Sequence, residues 1–319
     1  MKKNETILIT GANGQIGTVL TQALRDAYSA EQVVATDIRR PQAQSDGPFE
    51  MLDVLDAEAL NGLVKKYKVR QIYHLAAILS AKGEQNPQWA WDINMSGLFN
   101  VLNAAKEYGL KVFCPSSIAV FGGATPKVDT PQDAVLQPAT VYGISKVAGE
   151  QWSEYYHRRY GVDVRSLRYP GIVGYQSLPG GGTTDYAVDI YHYAVKGEPY
   201  ECFLAENSRL PMMYMDDAIR ATLELMEAPA AQLKIRTSYN LAAMSFTPAE
   251  IAAEIRRQRP GFAIRYAPDF RQKIAESWPE SIDDTPARQD WGWQHAYDLP
   301  KMTIDMLRHL ETYYHELTS

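Results

Sequence analysis

Residues 6–17 read TILITGANGQIG, a short apolar run that meets three glycines and then a helical pattern opening at Gln15. Few folds accept that order. Glycine permits a tight turn and close backbone approach, and the turn leaves the first amides of the next helix free to face an anion. The same alternation then continues through QVVATD, the helical DAEALNGLVKKY, QIYHLA, the long WAWDINMSGLFNVLNAAKEYG and KVFCPSS. After a proline-punctuated stretch near residues 122–138 come the helical VYGISKVAGEQWSEYYHRRYG and the strand VDVRSLRYP. Short apolar strands separated by helices of this length need right-handed crossovers, which build a parallel sheet. The expected fold class is α/β: a Rossmann-type doubly wound parallel sheet over residues 1–170, and a smaller mixed α/β lobe over 171–319 that returns some segments to the first domain.

In the second half, helices are expected near 184–196 and 216–228, strands at SYNLA and FAIRYAP, and a C-terminal helix from Leu299. Thr247-Pro248-Ala249-Glu250 fits a capping box with proline at the first helical position, so another helix starts there.

Charge narrows the partners. The 319 residues carry a net charge of −6 with no dense Lys/Arg block, which gives no footprint for nucleic acid or an anionic membrane. A small-molecule substrate is the expectation. No segment approaches the ~20 apolar residues of a membrane span, and TILIT is too short for a signal peptide, so a cytoplasmic location is expected. Cys114 and Cys202 sit in apolar contexts, KVFCPSS and YECFLA, and read as buried thiols rather than a disulfide.

Gly11, Gly14 and Gly17 have the spacing that cradles a pyrophosphate at a helix N-terminus, and Asp37 ends the second strand 20 residues later. An acidic residue there accepts hydrogen bonds from the adenosine ribose and repels a 2′-phosphate. NAD is therefore favoured over NADP, although Arg39 and Arg40 lie close by. Asp53, opening DVLD, reads either as an adenine contact or as a helix N-cap. Tyr142 and Lys146 lie four residues apart on one helix face, so the ammonium can favour the phenolate and make Tyr142 a general base. Ser116 and Ser117 end KVFCPSS at the sheet edge where open parallel sheets bind ligands. The pair Asp216-Asp217 reads as a helix N-terminal anion pair, and no metal is expected.

GANGQIG, DVLD, HLAA, Asn94, PSSIAVFG, YGISK and RYPGI, in this order, resemble the extended short-chain dehydrogenase/reductase superfamily over about the first 175 residues. The resemblance implies NAD held by Gly11, Asn13, Gly14, Gln15, Ile16, Gly17, Asp37, Asp53, Val54, Leu75, Ala76, Ala77, Asn94, Tyr142, Lys146 and Tyr169. It implies catalysis by Ser117, Tyr142 and Lys146, with Ser117 rather than Ser116 because it lies five residues before Gly122. Further on, LPGGGTTDYAVDIY, LPMMYMDDAIRATLELM and SWPESIDDTPARQDWGW are similar to the short-chain family of L-threonine 3-dehydrogenases. That likeness implies oxidation of the threonine 3-hydroxyl to 2-amino-3-oxobutanoate. It places the amino acid among Ser80, Ser117, Tyr142, Gly182, Thr184 and Asp185, with Trp278 closing over it. Ser80 also reads as a loop-start serine and Trp278 as core.

The tract Gly180-Gly181-Gly182 would let backbone pass close to a small zwitterion, whose carboxylate and ammonium Thr184 and Asp185 could meet. A homodimer is the expected assembly. Two other functions stay open: a sugar-nucleotide epimerase or dehydratase, which would need basic groups for a nucleoside diphosphate, and a non-catalytic NAD-binding protein.

Overall fold

The computed structural model describes residues 5–41, 46–180 and 182–318. In chain order the first half contains β1 (Thr6–Thr10), α1 (Gln15–Ala27), β2 (Val33–Asp37), β3 (Phe49–Met51), α2 (Ala57–Tyr67), β4 (Val69–His74), α3 (Ser80–Gln85), α4 (Pro87–Tyr108), β5 (Lys111–Phe113), β6 (Ser116–Ser117), α5 (Val141–Tyr160), β7 (Asp163–Arg165) and β8 (Leu167–Tyr169). The second half adds β9 (Gly171–Val173), α6 (Tyr186–Lys196), β10 (Tyr200–Cys202), β11 (Leu210–Tyr214), α7 (Met215–Glu227), β12 (Tyr239–Asn240), β13 (Met244–Phe246), α8 (Pro248–Gln258), β14 (Ile264–Tyr266), α9 (Arg271–Ser277), α10 (Thr285–Trp291) and α11 (Leu299–Thr318).

Six strands form a parallel sheet in the order β3-β2-β1-β4-β5-β7. Alternate residues face opposite layers. Ile7, Ile9, Ala35, Tyr73 and Phe113 pack with α1 and α7 on one side, while Leu8, Val34, Ile72, Val112 and Val164 pack with α2 and α4 on the other. Both faces are buried, which is why these strands read as continuous apolar runs. The neighbours of β1 are β2 and β4, so the chain reverses direction across the sheet at β1, and the crevice beyond the strand ends at that point is where such sheets bind ligands.

Two strands that read as single runs are broken. KVFCPSS divides at Cys114-Pro115 into β5 and β6, and VDVRSLRYP divides at Ser166 into β7 and β8. Proline has no amide to give to a ladder, so β6 leaves the main sheet and pairs instead with β8, Ser117 opposite Tyr169. Helix α3, strands β10, β11 and β13, and helices α9 and α10 lack a strong periodic signal and are structural additions to the sequence reading. The capping box forms at the start of α8: the Thr247 hydroxyl accepts from the Glu250 amide at 3.2 Å, and Glu250 accepts from the Thr247 amide at 2.8 Å.

Met213, Met215, the buried face of α7, Leu233, Tyr239 and Leu241, with Ala287 and Trp293, join the apolar layer against α1. A separate apolar cluster holds α6, α8 and α11 together with Ile118–Phe121 and Trp278. The partly buried Tyr142 packs against it. No helix among the described residues is long and apolar enough to cross a membrane.

Candidate active site

The glycine turn is built to the tolerance of a missing side chain. Gly11 has φ +72°, and a Cβ there would lie 2.7 Å from the Ala76 amide nitrogen. A Cβ on Gly17 would lie 2.2 Å from the Gly11 carbonyl oxygen. Gly11 presses the turn against the chain just after β4, so Leu75 and Ala76 border it, while Gly17 closes the helix start onto the turn itself. Gly14 is exposed and caps α1 without a side chain, which leaves the first-turn amides beside Gln15 and Ile16 facing the crevice. That is a cradle fitted to a pyrophosphate.

Asp37 stands at the mouth of the turn. Its carboxylate accepts from the Asn13 amide at 3.1 Å and from the Arg39 amide at 3.2 Å, and the Asn13 side chain donates to the Arg39 carbonyl at 2.6 Å. Asp53 is exposed and caps its own turn by accepting from the Leu55 amide at 2.9 Å; the N-cap of α2 is Asp56, not Asp53. Val54 is buried under α4, where a Cβ on Gly97 would come within 2.9 Å of its Cγ2.

Ser117, Tyr142 and Lys146 are brought to one strand end. The hydroxyl of Thr140 caps α5 by accepting from the Gly143 amide at 3.1 Å. Gly143 lets the helix start close against the turn that follows Ser117, since a Cβ there would lie 2.1 Å from the Ala119 carbonyl. Lys146 Nζ lies 5.4 Å from the centre of the Tyr142 ring and donates to the Pro115 carbonyl at 2.7 Å. The same proline that breaks the ladder thus presents its carbonyl to the lysine. Two of the three ammonium donors remain for a ligand. Ser117 Oγ accepts from the Ala119 amide at 3.2 Å and keeps its proton to give. The Tyr142 hydroxyl makes no hydrogen bond among the described residues.

Ser116 is differently employed. It is buried and donates to Glu150 at 2.6 Å, and Glu150 also takes both prongs of Arg168 at 2.9 and 2.8 Å. Neither Glu150 nor Arg168 was singled out from sequence. Glu150 follows Tyr142 and Lys146 on one face of α5 at steps of four, and Arg168 is a charge within a buried strand; those two facts were the available signal.

Asn94 donates to the Ile78 carbonyl and to Ser145 Oγ, both at 3.1 Å, and accepts from the Ile78 amide at 2.7 Å. Both of its N–H donors are spent on the protein, so it ties the strand end after β4 to α5. A cavity of about 30 Å³, large enough for a water, lies behind Lys146 among Ala76, Ala77, Asn94, Ser145 and His74. His74 is buried beside the Thr10 hydroxyl at 2.8 Å; burial and the Lys146 charge push it down to about 3, so it stays neutral.

The tyrosine of RYPGI needs correction. The Tyr169 side chain is buried between Phe113 and α7, its hydroxyl bonded to Thr222. Residues along β8 alternate, so Arg168 turns to α5 and Tyr169 turns away. Its side chain does not reach the crevice, and only its backbone lies at the strand end.

On the substrate side, Ser80 is buried at the start of α3, which is joined to α5 by a bond from the Val141 amide to Glu84 at 2.8 Å. Thr184 packs on Gly171, whose Cβ would meet it at 2.7 Å, so residues 182–185 sit just beyond Pro170. Asp185 accepts from the Gly182 amide at 2.8 Å and closes the tract on itself, while Gly181 lies outside the described residues. Trp278 is buried in the cluster against which Tyr142 packs. Asp216 and Asp217 do sit in the first turn of α7, and Asp217 accepts from the amides of Ala296 and Tyr297 at 2.9–3.0 Å. No group of three or more possible metal ligands occurs among the described residues. Cys114 and Cys202 are separate thiols.

A pyrophosphate cradle at the point where the sheet reverses, with a tyrosine and lysine two strands further along, defines a Rossmann-type nucleotide-dependent oxidoreductase or epimerase. The chain belongs to the NAD dependent epimerase/dehydratase family, whose model matches residues 7–242. An uncharacterised epimerase/dehydratase of Staphylococcus haemolyticus is 50% identical over 311 residues, covering 96% of this chain and 98% of that protein. Among solved structures, the holo form of a GalE-like L-threonine dehydrogenase from Cupriavidus necator is 57% identical with a TM-score of 0.94, over 96% of this chain and 99% of that one. A monomeric L-threonine 3-dehydrogenase from a metagenome is 50% identical with a TM-score of 0.94, over 97% and 99% of the two chains.

Proposed function

We propose that this protein oxidises L-threonine at its 3-hydroxyl, giving 2-amino-3-oxobutanoate, with NAD⁺ as the oxidant. One observation carries the choice of substrate: Thr184 packs on Gly171, which brings the 182–185 segment to the sheet edge that carries Ser117. A short backbone loop there suits a small zwitterion. The near full-length likeness to two L-threonine dehydrogenases supports the same choice.

The cofactor would be held by Gly11, Asn13, Gly14, Gln15, Ile16 and Gly17 at the pyrophosphate, by Asp37 with Asp53 and Val54 towards the adenosine, and by Leu75, Ala76, Ala77, Tyr142 and Lys146 towards the nicotinamide. Asn94 serves by holding that wall in place, and Tyr169 contributes backbone alone. When bound, NAD⁺ would supply the acceptor for the hydride that leaves C3. Ser117 donates a hydrogen bond to the threonine oxygen and fixes it beside Tyr142. Tyr142 takes the hydroxyl proton as general base, with the Lys146 ammonium 5.4 Å from its ring centre. Gly182 and Thr184 receive the carboxylate side of the amino acid, Ser80 and Asp185 the ammonium side, and Trp278 covers it.

The direct test follows absorbance of NADH across a panel of hydroxy amino acids and UDP-sugars. Threonine should give NADH and UDP-sugars should give neither NADH nor an epimer. Epimerisation of a UDP-sugar with no threonine turnover would overturn the assignment.

We also propose a homodimer and a cytoplasmic location. On α5, Ile144, Trp152 and Tyr155 are exposed, and Trp152 stands edge-on to Phe99 of α4 at 4.9 Å. Two copies of α4 and α5 packed face to face would bury this aromatic surface. Sedimentation or light scattering should give twice the chain mass, and the pair Trp152→Glu with Tyr155→Glu should halve it; a wild-type monomer removes the proposal. The location rests on the two separate thiols, of which Cys202 is pushed by burial up to about 11 and so is kept unreactive.

A further inference from the structure

We propose that Lys127 is a positioning residue for the amino acid: by holding the two carbonyls at the end of α9 it sets where Trp278 lies over the substrate. The inference rests on the threonine reading above.

Residues 127–130 and 280–283, far apart in sequence, run side by side. The Lys127 carbonyl accepts from the amides of Glu280 and Ser281 at 2.7 and 3.2 Å, the Thr130 amide donates to the Ser281 carbonyl at 3.0 Å, and the Asp283 amide donates to the Thr130 carbonyl at 3.0 Å. Asp129 takes a left-handed φ of 48°, an unfavourable angle for a residue with a side chain. Ser281 offsets it, accepting from the Asp129 amide at 2.7 Å and donating to its carboxylate at 3.0 Å.

The two ends of this paired segment are held differently. At the far end Asn240 donates to the carbonyls of Thr130 and Asp283, both at 3.1 Å, and is itself held by Arg168 at 3.0 Å within the core. That end is fixed by buried groups. At the near end α9 stops at Ser277 and leaves carbonyls with no helical partner. Lys127 Nζ donates to those of Glu276 and Trp278 at 2.6 and 2.9 Å. Water could satisfy these carbonyls, but water cannot set their distance from the 127–130 segment. Trp278 and Pro279 are buried immediately beyond, in the cluster that also contains Ile118–Phe121, Tyr186 and the ring of Tyr142. The ammonium therefore controls how one indole seats in the apolar cluster against which the Tyr142 ring packs.

Lys127 is half-buried at the surface, so Lys127→Met keeps the stem and removes only the donors. We expect KM for threonine to rise on the order of tenfold, as for the loss of charge-assisted hydrogen bonds. The Kd for NAD should stay within twofold and the Tm within about 2 °C. Lys127→Arg, which keeps the donors, should recover most of the loss. Trp278→Ala provides the control and should raise the same KM. If Trp278→Ala raises it and Lys127→Met does not, the positioning role is overturned while the threonine reading stands. Parallel losses in KM, NAD affinity and Tm would also overturn it, by making Lys127 a general structural contact. If the wild-type protein makes no NADH from threonine, the underlying reading fails instead.

Discussion

Replacing Tyr142 by phenylalanine should lower kcat for threonine by ~10²–10⁴-fold, the usual effect of losing a general base, and leave NAD affinity close to that of the wild type. The split between the two effects follows from how Tyr142 is held. Its ring packs against the apolar cluster of Ile118–Phe121 and Tyr186, and phenylalanine keeps that packing. Its hydroxyl makes no bond to the described protein, so removing it breaks nothing in the resting fold. Lys146 is placed independently by the Pro115 carbonyl at 2.7 Å and keeps its position over the ring and its remaining donors for the cofactor. Only the proton acceptor is gone. Steady-state rates at saturating threonine, with NAD binding followed by fluorescence or calorimetry, check both halves. A variant that retained most of its turnover would remove Tyr142 from the chemistry, and one that lost NAD binding along with turnover would make it chiefly a cofactor contact.

What the sequence made legible was local. Glycines at 11, 14 and 17 announce themselves because the constraint on each is backbone space, and the distances a Cβ would have to Ala76 and to Gly11 itself are of that kind. The pair Tyr142 and Lys146 was readable because helix geometry puts fourth neighbours together, and the Thr247 capping box for the same reason. Other features required a partner distant in the chain. Whether Tyr169 faces the crevice depends on which way β8 alternates, and that is set by its register with β6, Ser116 opposite Arg168 and Ser117 opposite Tyr169. The break itself was present in the sequence as Pro115, though an apolar run around it masks the consequence. Asp37 looked free to meet a ribose, yet it also organises the turn through the Asn13 amide, a bond spanning 24 residues. Lys127 carried no sequence signal, since its two carbonyl partners lie about 150 residues away and backbone acceptors have no residue preference.

The largest stability effect should come from the charge pair beneath the serines. Glu150 and Arg168 have side chains 1% and 5% exposed, joined by two bonds at 2.8–2.9 Å. Burying both charges has a desolvation cost that their attraction roughly offsets, so the intact pair adds little net stability, but removing one partner strands the other in a medium that cannot solvate it. Arg168→Met should therefore destabilise the fold by about 3–5 kcal/mol, a fall in Tm on the order of 10 °C for a chain of this size. The Gln132 carbonyl and Asn240 Oδ1 lose their Arg168 donor at once, and Glu150 loses two N–H donors and keeps only the Ser116 hydroxyl. Adding Glu150→Gln removes the stranded charge while keeping an oxygen for the Ser116 hydroxyl, so the double variant should recover more than half of the loss. Denaturant melts of the two single variants and the double complete the cycle. Strict additivity, or a single-variant cost under ~1 kcal/mol, would show that water or a shifted neighbour solvates Glu150 once Arg168 is gone. The consequence for chemistry is direct, because Glu150 lies on the helix of Tyr142 and Lys146, while Arg168 lies on the strand paired with Ser116 and Ser117. The ion pair clamps the element that carries the base to the element that carries the serine, and a protein that folds without it should lose kcat in proportion to the freedom those two elements gain.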